Sequence, residues 1–358
     1  MNTAHSTEST ASTESTAPTS PAESTAYAAP AAHSIATTGL DPAELAETRA
    51  ANDHLERLLD REIPLHVQDD PPAARALRRA GGGGFPAVAL LPEAAWRTVT
   101  APSGHRVRLR VLTPPEDRQP GGVFLHFHGG GGVIGSADGQ DVRLRDLAHH
   151  VGVAVVSVEY RLAPEHPYPA GADDAEQAAL WLLDRAGAEF GTERLLIGGE
   201  SHGARLSVTT LLRLRDRHAV APADRFLAAQ LSFGSYDLAL GTPSARRAGD
   251  RNLLINRPIL TWFREQLLPG LGPAERLDPD ISPLHADLGG LPLARFTVGT
   301  ADPVLDDTLF MAARWRAAGN PVELEIVAEG WHGFTLAPTT VARRELAAQE
   351  AFLRRALA

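Results

Sequence analysis

From residue 123 onward, short apolar runs alternate with longer stretches whose apolar residues recur at helical spacing. The runs at 123–127, 153–158, 195–197, 228–233, 296–298 and 322–327 read as strands, and the stretches at 172–185, 307–317 and 341–357 read as helices. Such alternation favours parallel crossovers. The chain is therefore predicted to be α/β, with a mostly parallel central sheet covered by helices on both faces. Two extended runs, 96–100 and 107–112, come earlier and read as leading strands, with Pro114 and Pro115 marking the turn behind them.

Two further regions stand outside this alternation. Residues 41–79 carry Leu45, Leu55, Leu58 and Leu59 among charged residues and read as helical, with the glycines at 81–84 ending the pattern. Residues 234–291 are longer than a crossover needs and hold an amphipathic piece at 259–268. The expected organisation is an N-terminal helical cap segment over 41–85 and a catalytic domain over 86–358, with a cap insertion at about 240–290. The first forty residues are Ser, Thr, Ala, Pro and Glu with almost no large apolar side chains, too little to offset chain entropy, so 1–40 is expected to be a disordered tail. It lacks the basic and apolar regions of a secretory signal, and no apolar run reaches spanning length, so a cytoplasmic location is expected. A tag, a glycosylated linker or an export signal stays open, because composition says little about purpose.

Charge and composition narrow the chemistry. With 358 residues, 43% of them hydrophobic, the chain can bury one large core, and its net charge of -10 offers no basic footprint for phosphates or anionic lipid. Nucleic acid and stable membrane association are not expected, and a homodimer is left open. There are no cysteines, which removes disulfides, thiolate metal sites and a cysteine nucleophile together.

Another nucleophile is available. Gly199-Glu200-Ser201-His202-Gly203 follows the apolar run 195–197 and precedes a helical pattern, the strand-to-helix context that G-x-S-x-G requires. Serine needs a base to take its proton. In this architecture the base follows the last strand and its acid follows the preceding one. His332, between Gly330 and Gly333, comes after the run 322–327, and Asp302 comes after 296–298. Asp306 and Asp307 compete for the acid role, although as carboxylates at a helix start they suit capping. His202 adjoins the serine, but consecutive residues at a helix start point in different directions, so its backbone amide matters more.

The run 123–127 leads into His128 and four glycines, Gly129 to Gly132, which expose backbone N–H groups for an oxyanion. Gly130 and Gly131, with Gly129 as neighbour, are the expected donors, and the amide of His202 is the third. A phosphate cradle competes for the same glycines, but neither G-x-x-x-x-G-K-[ST] nor G-x-G-x-x-G is present. Metal binding by His126 and His128 is a further alternative that lacks a third ligand at suitable spacing.

With these pieces placed, the chain from about residue 107 onward resembles the hormone-sensitive-lipase-like carboxylesterases of the α/β-hydrolase superfamily. The resemblance rests on His128-Gly129-Gly130-Gly131, the stretch from Tyr160 to Ala170, Gly199-Glu200-Ser201-His202-Gly203, Asp302-Pro303-Val304 and His332-Gly333-Phe334. It implies hydrolysis of short- to medium-chain acyl esters of small molecules through an acyl-enzyme, without a cofactor and under a helical cap. Two positions depart from the family pattern. Gly132 stands where a large residue is frequent and His202 where alanine is usual, so selectivity is expected to differ there. An acyltransferase, deacetylase or lyase on the same site, an interfacial lipase and a non-catalytic small-molecule binder are the alternative readings.

Overall fold

The computed structural model describes residues 1, 34–82, 86–101, 104–115, 118–249 and 251–358. Nine strands, β1 (Ser34–Thr38), β2 (Ala95–Thr100), β3 (Arg106–Leu112), β4 (Val123–Phe127), β5 (Ala154–Glu159), β6 (Leu195–Glu200), β7 (Phe226–Ser232), β8 (Leu293–Gly299) and β9 (Val322–Val327), form one sheet in the order β1-β9-β8-β7-β6-β4-β5-β3-β2. Only β2 with β3 and β3 with β5 pair antiparallel. The runs of β4 and β6 are continuous rather than alternating because both faces are covered, and every residue of the two strands is buried.

The N-terminal helices are α1 (Pro42–Leu59), α2 (Leu65–Gln68) and α3 (Pro71–Ala80). Their starts are written locally. Asp41 and Asp70 accept first-turn amides and are each followed by proline, and Gly81 ends α3 in the left-handed region. Next come α4 (Asp141–Leu147), α5 (Ala170–Phe190), α6 (His202–His218) and α7 (Pro222–Arg225). Between β7 and β8 lie α8 (Pro243–Arg247) and α9 (Arg257–Leu267), and α10 (Leu305–Ala317) and α11 (Thr340–Ala356) follow β8 and β9. One sheet face packs against Leu182 of α5, Leu206 of α6 and Trp315 of α10, the other against Leu144 of α4 and Phe352 of α11. This is the α/β-hydrolase arrangement, with Ser201 at the end of the interior strand β6.

The expected tail over 1–40 needs correction at its end. Residues 2–33 lie outside the described residues, but β1 pairs in parallel with β9 from Ser34↔Glu323 to Thr38↔Val327. The pairing depends on the open backbone edge of β9 rather than on burial, since Ile35 remains 65% exposed, so a hydrophobicity pattern cannot find it. The N-terminal helices and the β7–β8 connection also meet. Trp262 and Gln266 of α9 donate to Asp69 at 2.7 and 3.0 Å. Among the described residues no helix is long and apolar enough to cross a membrane.

Candidate active site

Ser201 sits where β6 turns into α6, at φ 55° and ψ -119°, a region that L-residues seldom occupy. Close packing enforces the turn. A Cβ at Gly199 or Gly203 would lie 2.1 or 1.9 Å from the Phe127 carbonyl oxygen, so only glycine lets β4 approach on both sides of the serine. The Ser201 amide donates to the Ser232 carbonyl at 2.9 Å, fixing the elbow to the end of β7.

The three residues expected to act together are brought together. His332, on the loop after β9, has Nε2 2.8 Å from Ser201 Oγ and Nδ1 3.0 and 3.1 Å from the two oxygens of Asp302. A carboxylate only accepts, so Nδ1 carries the proton and Nε2 turns its lone pair to the serine. Asp302 follows β8 and is itself oriented by the Val304 amide at 2.9 Å, while Phe233 packs edge-on to the imidazole with centroids 5.2 Å apart. Asp302 and His332 are both buried. The competing acids face elsewhere. Asp306 accepts the Ser244 amide, and Asp307 accepts the amides of Tyr236 and Asp237 and the Thr242 hydroxyl, so both tie α10 to the β7–β8 connection.

The glycine loop lies against the elbow. A Cβ at Gly129 would be 3.5 Å from Ser201 Cβ, and Gly130, Gly131 and Gly132 all have positive φ. Among the described residues the N–H groups of Gly130, Gly131 and His202 donate to no backbone carbonyl, as free oxyanion donors must. His202 itself is turned from the serine, its Nε2 facing Arg205 at 3.2 Å. The His128 ring bonds the Gly129 carbonyl through Nδ1 at 2.8 Å, and burial pushes its pKa down to about 4, so it is a neutral strut rather than an acid. His126 bonds Ser157 through Nδ1 and Glu200 through Nε2. Among the described residues no group of three or more His, Asp or Glu could hold a metal ion.

Two sets of supporting residues escape a reading of the sequence alone. Tyr160, at the head of the Pro-rich stretch, donates its hydroxyl to the His128 carbonyl at 2.8 Å, and Arg161 behind it is clamped by Asp174. Glu200, next to Ser201, is buried with Arg143, His126 and Gln140 around it. Burial opposes its ionisation, but Arg143 and His126 outweigh that and hold the carboxyl well below the usual range. The position of Glu200 beside the serine was its only sequence signal.

Above the site opens a cleft of about 1470 Å³ whose walls include Ile63, Leu65, Leu254, Ile259, Phe263 and Leu267. Phe263 presses on the glycine loop, since a Cβ at Gly131 would meet its ring at 2.4 Å.

Comparison with known proteins places the fold in a family. A family described as having the α/β-hydrolase fold matches residues 124–336. The chain is 32% identical over 278 residues to the carboxylic ester hydrolase LipN of Mycobacterium tuberculosis, covering 75% of this chain and 72% of LipN. Among solved structures, a bacterial heroin esterase superposes with a TM-score of 0.76 at 30% identity, covering 87% of this chain and 98% of that one. A hormone-sensitive lipase from a metagenome library superposes with a TM-score of 0.71 at 26% identity, covering 87% and 98%.

Proposed function

The chain belongs to the hormone-sensitive-lipase-like family of α/β hydrolases and is a carboxylic ester hydrolase, and from that premise we propose that it cleaves short- to medium-chain acyl esters of small molecules through an acyl-enzyme on Ser201. Ser201 Oγ attacks the ester carbonyl carbon while His332 Nε2 takes its proton, and Asp302 holds the ring and stabilises the imidazolium. The carbonyl electron pair moves onto oxygen, where the N–H groups of Gly130, Gly131 and His202 stabilise the charge, with Gly129 backing the loop. Collapse expels the alcohol, which takes the proton from His332. Water then attacks the acyl-enzyme with His332 again as base, releasing the acid and freeing Ser201.

The observation that carries this reading is the unbroken line of hydrogen bonds from Asp302 through His332 to Ser201, at 3.0 and 2.8 Å. The apolar cleft walls support an acyl substrate of modest length, and the Trp262–Asp69 bond supports a cap built from α1–α3 and the β7–β8 connection. A series of p-nitrophenyl esters tests it. Butyryl and octanoyl esters should give the highest kcat/KM, palmitoyl the lowest, and Ser201→Ala should lose them all. Best turnover of the palmitoyl ester would contradict the proposed chain length, and turnover surviving in Ser201→Ala would contradict the proposed nucleophile.

A further inference from the structure

Gly132 closes the glycine loop at φ 74°, and a Cβ placed there would lie 2.8 Å from Cε1 and 2.9 Å from Nε2 of His202. The imidazole thus occupies the space directly against the loop backbone. It has little room to withdraw, being buried, with Arg205 Nη2 at 3.2 Å from its Nε2. Arg205 is itself fully buried and donates from its other terminal nitrogen, Nη1, to the Ile281 carbonyl at 2.9 Å. Guanidinium nitrogens only donate, so Nε2 accepts, the proton sits on Nδ1, and the ring is neutral. Burial and the Arg205 charge both push the His202 pKa well below its ordinary value, which keeps it so.

The same residue therefore faces both halves of the oxyanion hole. Its amide begins α6 beside Ser201, and its ring bears on the loop that carries Gly130 and Gly131. We propose that the His202 imidazole, pinned by Arg205, is a positioning residue that sets the separation between the glycine loop and the nucleophile elbow, and with it the aim of the oxyanion donors. This rests on the assignment of Ser201 and the glycine loop made above. Removing the ring leaves the His202 amide and the apolar walls from Ile63, Leu65, Ile259 and Phe263 in place, so transition-state stabilisation should suffer far more than substrate binding. A misplacement on the order of 1 Å can cost about 100-fold in rate.

The test measures kcat, KM and the affinity for a trifluoromethyl ketone, to which the serine adds to give a tetrahedral oxyanion. In His202→Ala, kcat should fall about 10- to 100-fold, KM should move by less than about threefold, and ketone affinity should fall in step with kcat/KM. His202→Gln, which can still accept from Arg205 and reach over Gly132, should recover most of the loss. Gly132→Ala should be costly beside His202 and clearly less so in the His202→Ala background, where only the positive φ and Leu267 at 3.1 Å still oppose its Cβ. Ketone affinity and kcat within about twofold of wild type in His202→Ala, or an equal cost of Gly132→Ala in both backgrounds, would overturn the proposal. Should circular dichroism show His202→Ala unfolded, His202→Gln and His202→Leu decide: Gln should keep ketone affinity and Leu lose it, and equal affinities would overturn the idea. Activity surviving in Ser201→Ala would instead strike at the site assignment itself.

Discussion

The Tyr160 hydroxyl donates to the His128 carbonyl at 2.8 Å while its ring stacks on the His128 imidazole, centroids 4.2 Å apart and planes 15° from parallel. One side chain thus braces both the backbone and the ring of the residue that opens the glycine loop. In Tyr160→Phe the stacking survives and a buried carbonyl loses its donor. The folded state should lose about 1 to 3 kcal/mol, read from urea unfolding midpoints, and kcat should fall while KM stays near wild type. An unchanged midpoint would show that the hydroxyl braces nothing.

Asp302 and Asp306 separate chemistry from structure. Asp302→Asn removes the acceptor that fixes the His332 tautomer, so kcat should drop by about 1,000- to 10,000-fold with little change in KM. Asp306→Asn touches the Ser244 contact and a 3.9 Å pairing with Arg247. It should leave kcat within about threefold of wild type, because both contacts lie outside the relay. Steady-state kinetics on the two variants checks the assignment, and the reverse order of effects would contradict it.

Glu200 gives the acid limb of stability. Arg143 and His126 hold its folded pKa below the unfolded value, so its contribution is full above about pH 4.3 and is lost as pH falls below that. Glu200→Gln should be destabilised by about 3 kcal/mol at neutral pH, since Arg143 is left beside a neutral partner. Urea midpoints should converge for the two proteins as the solution is acidified. Parallel profiles would show that Glu200 is not the group titrating.

Asp307 works in the opposite sense. Burial, against the pull of the Thr242 hydroxyl and the Asp237 amide, pushes its pKa up to about 7. Between its ordinary value of about 4 and 7, the folded chain keeps a proton that the unfolded chain has released, so stability falls as pH rises through that window and levels off above it. Asp307→Asn should flatten the profile of unfolding midpoint against pH across the same window. A slope as steep as that of wild type would refute the assignment.

How much of this was legible in the sequence depends on how local the determinants are. The bounds of β4 and β9 match expectation because a continuous apolar run after two glycines defines the first and a period-two alternation of apolar residues with glutamate after Pro321 defines the second. The strand expected at 195–197 runs on through Gly198, Gly199 and Glu200, since neighbours on both sides pair with residues that read as a turn. Helix α4 went unread because Asp141-Val142-Arg143-Leu144-Arg145 alternates like a strand, and only tertiary burial of Leu144 and Leu147 selects the helix. Ser201, His332, Asp302 and the glycines carry their own signals in spacing and order. Tyr160, Arg143 and Phe263 do not, because what they do depends on partners far along the chain.

The central claim is that Ser201 is a nucleophile activated by His332, and mass spectrometry of the intact protein after exposure to a p-nitrophenyl phosphonate tests it most directly. The wild-type chain should gain one phosphonyl group, Ser201→Ala none, and His332→Ala should be labelled far more slowly. A wild-type chain that stays unlabelled, or a label that persists in Ser201→Ala, would contradict the account.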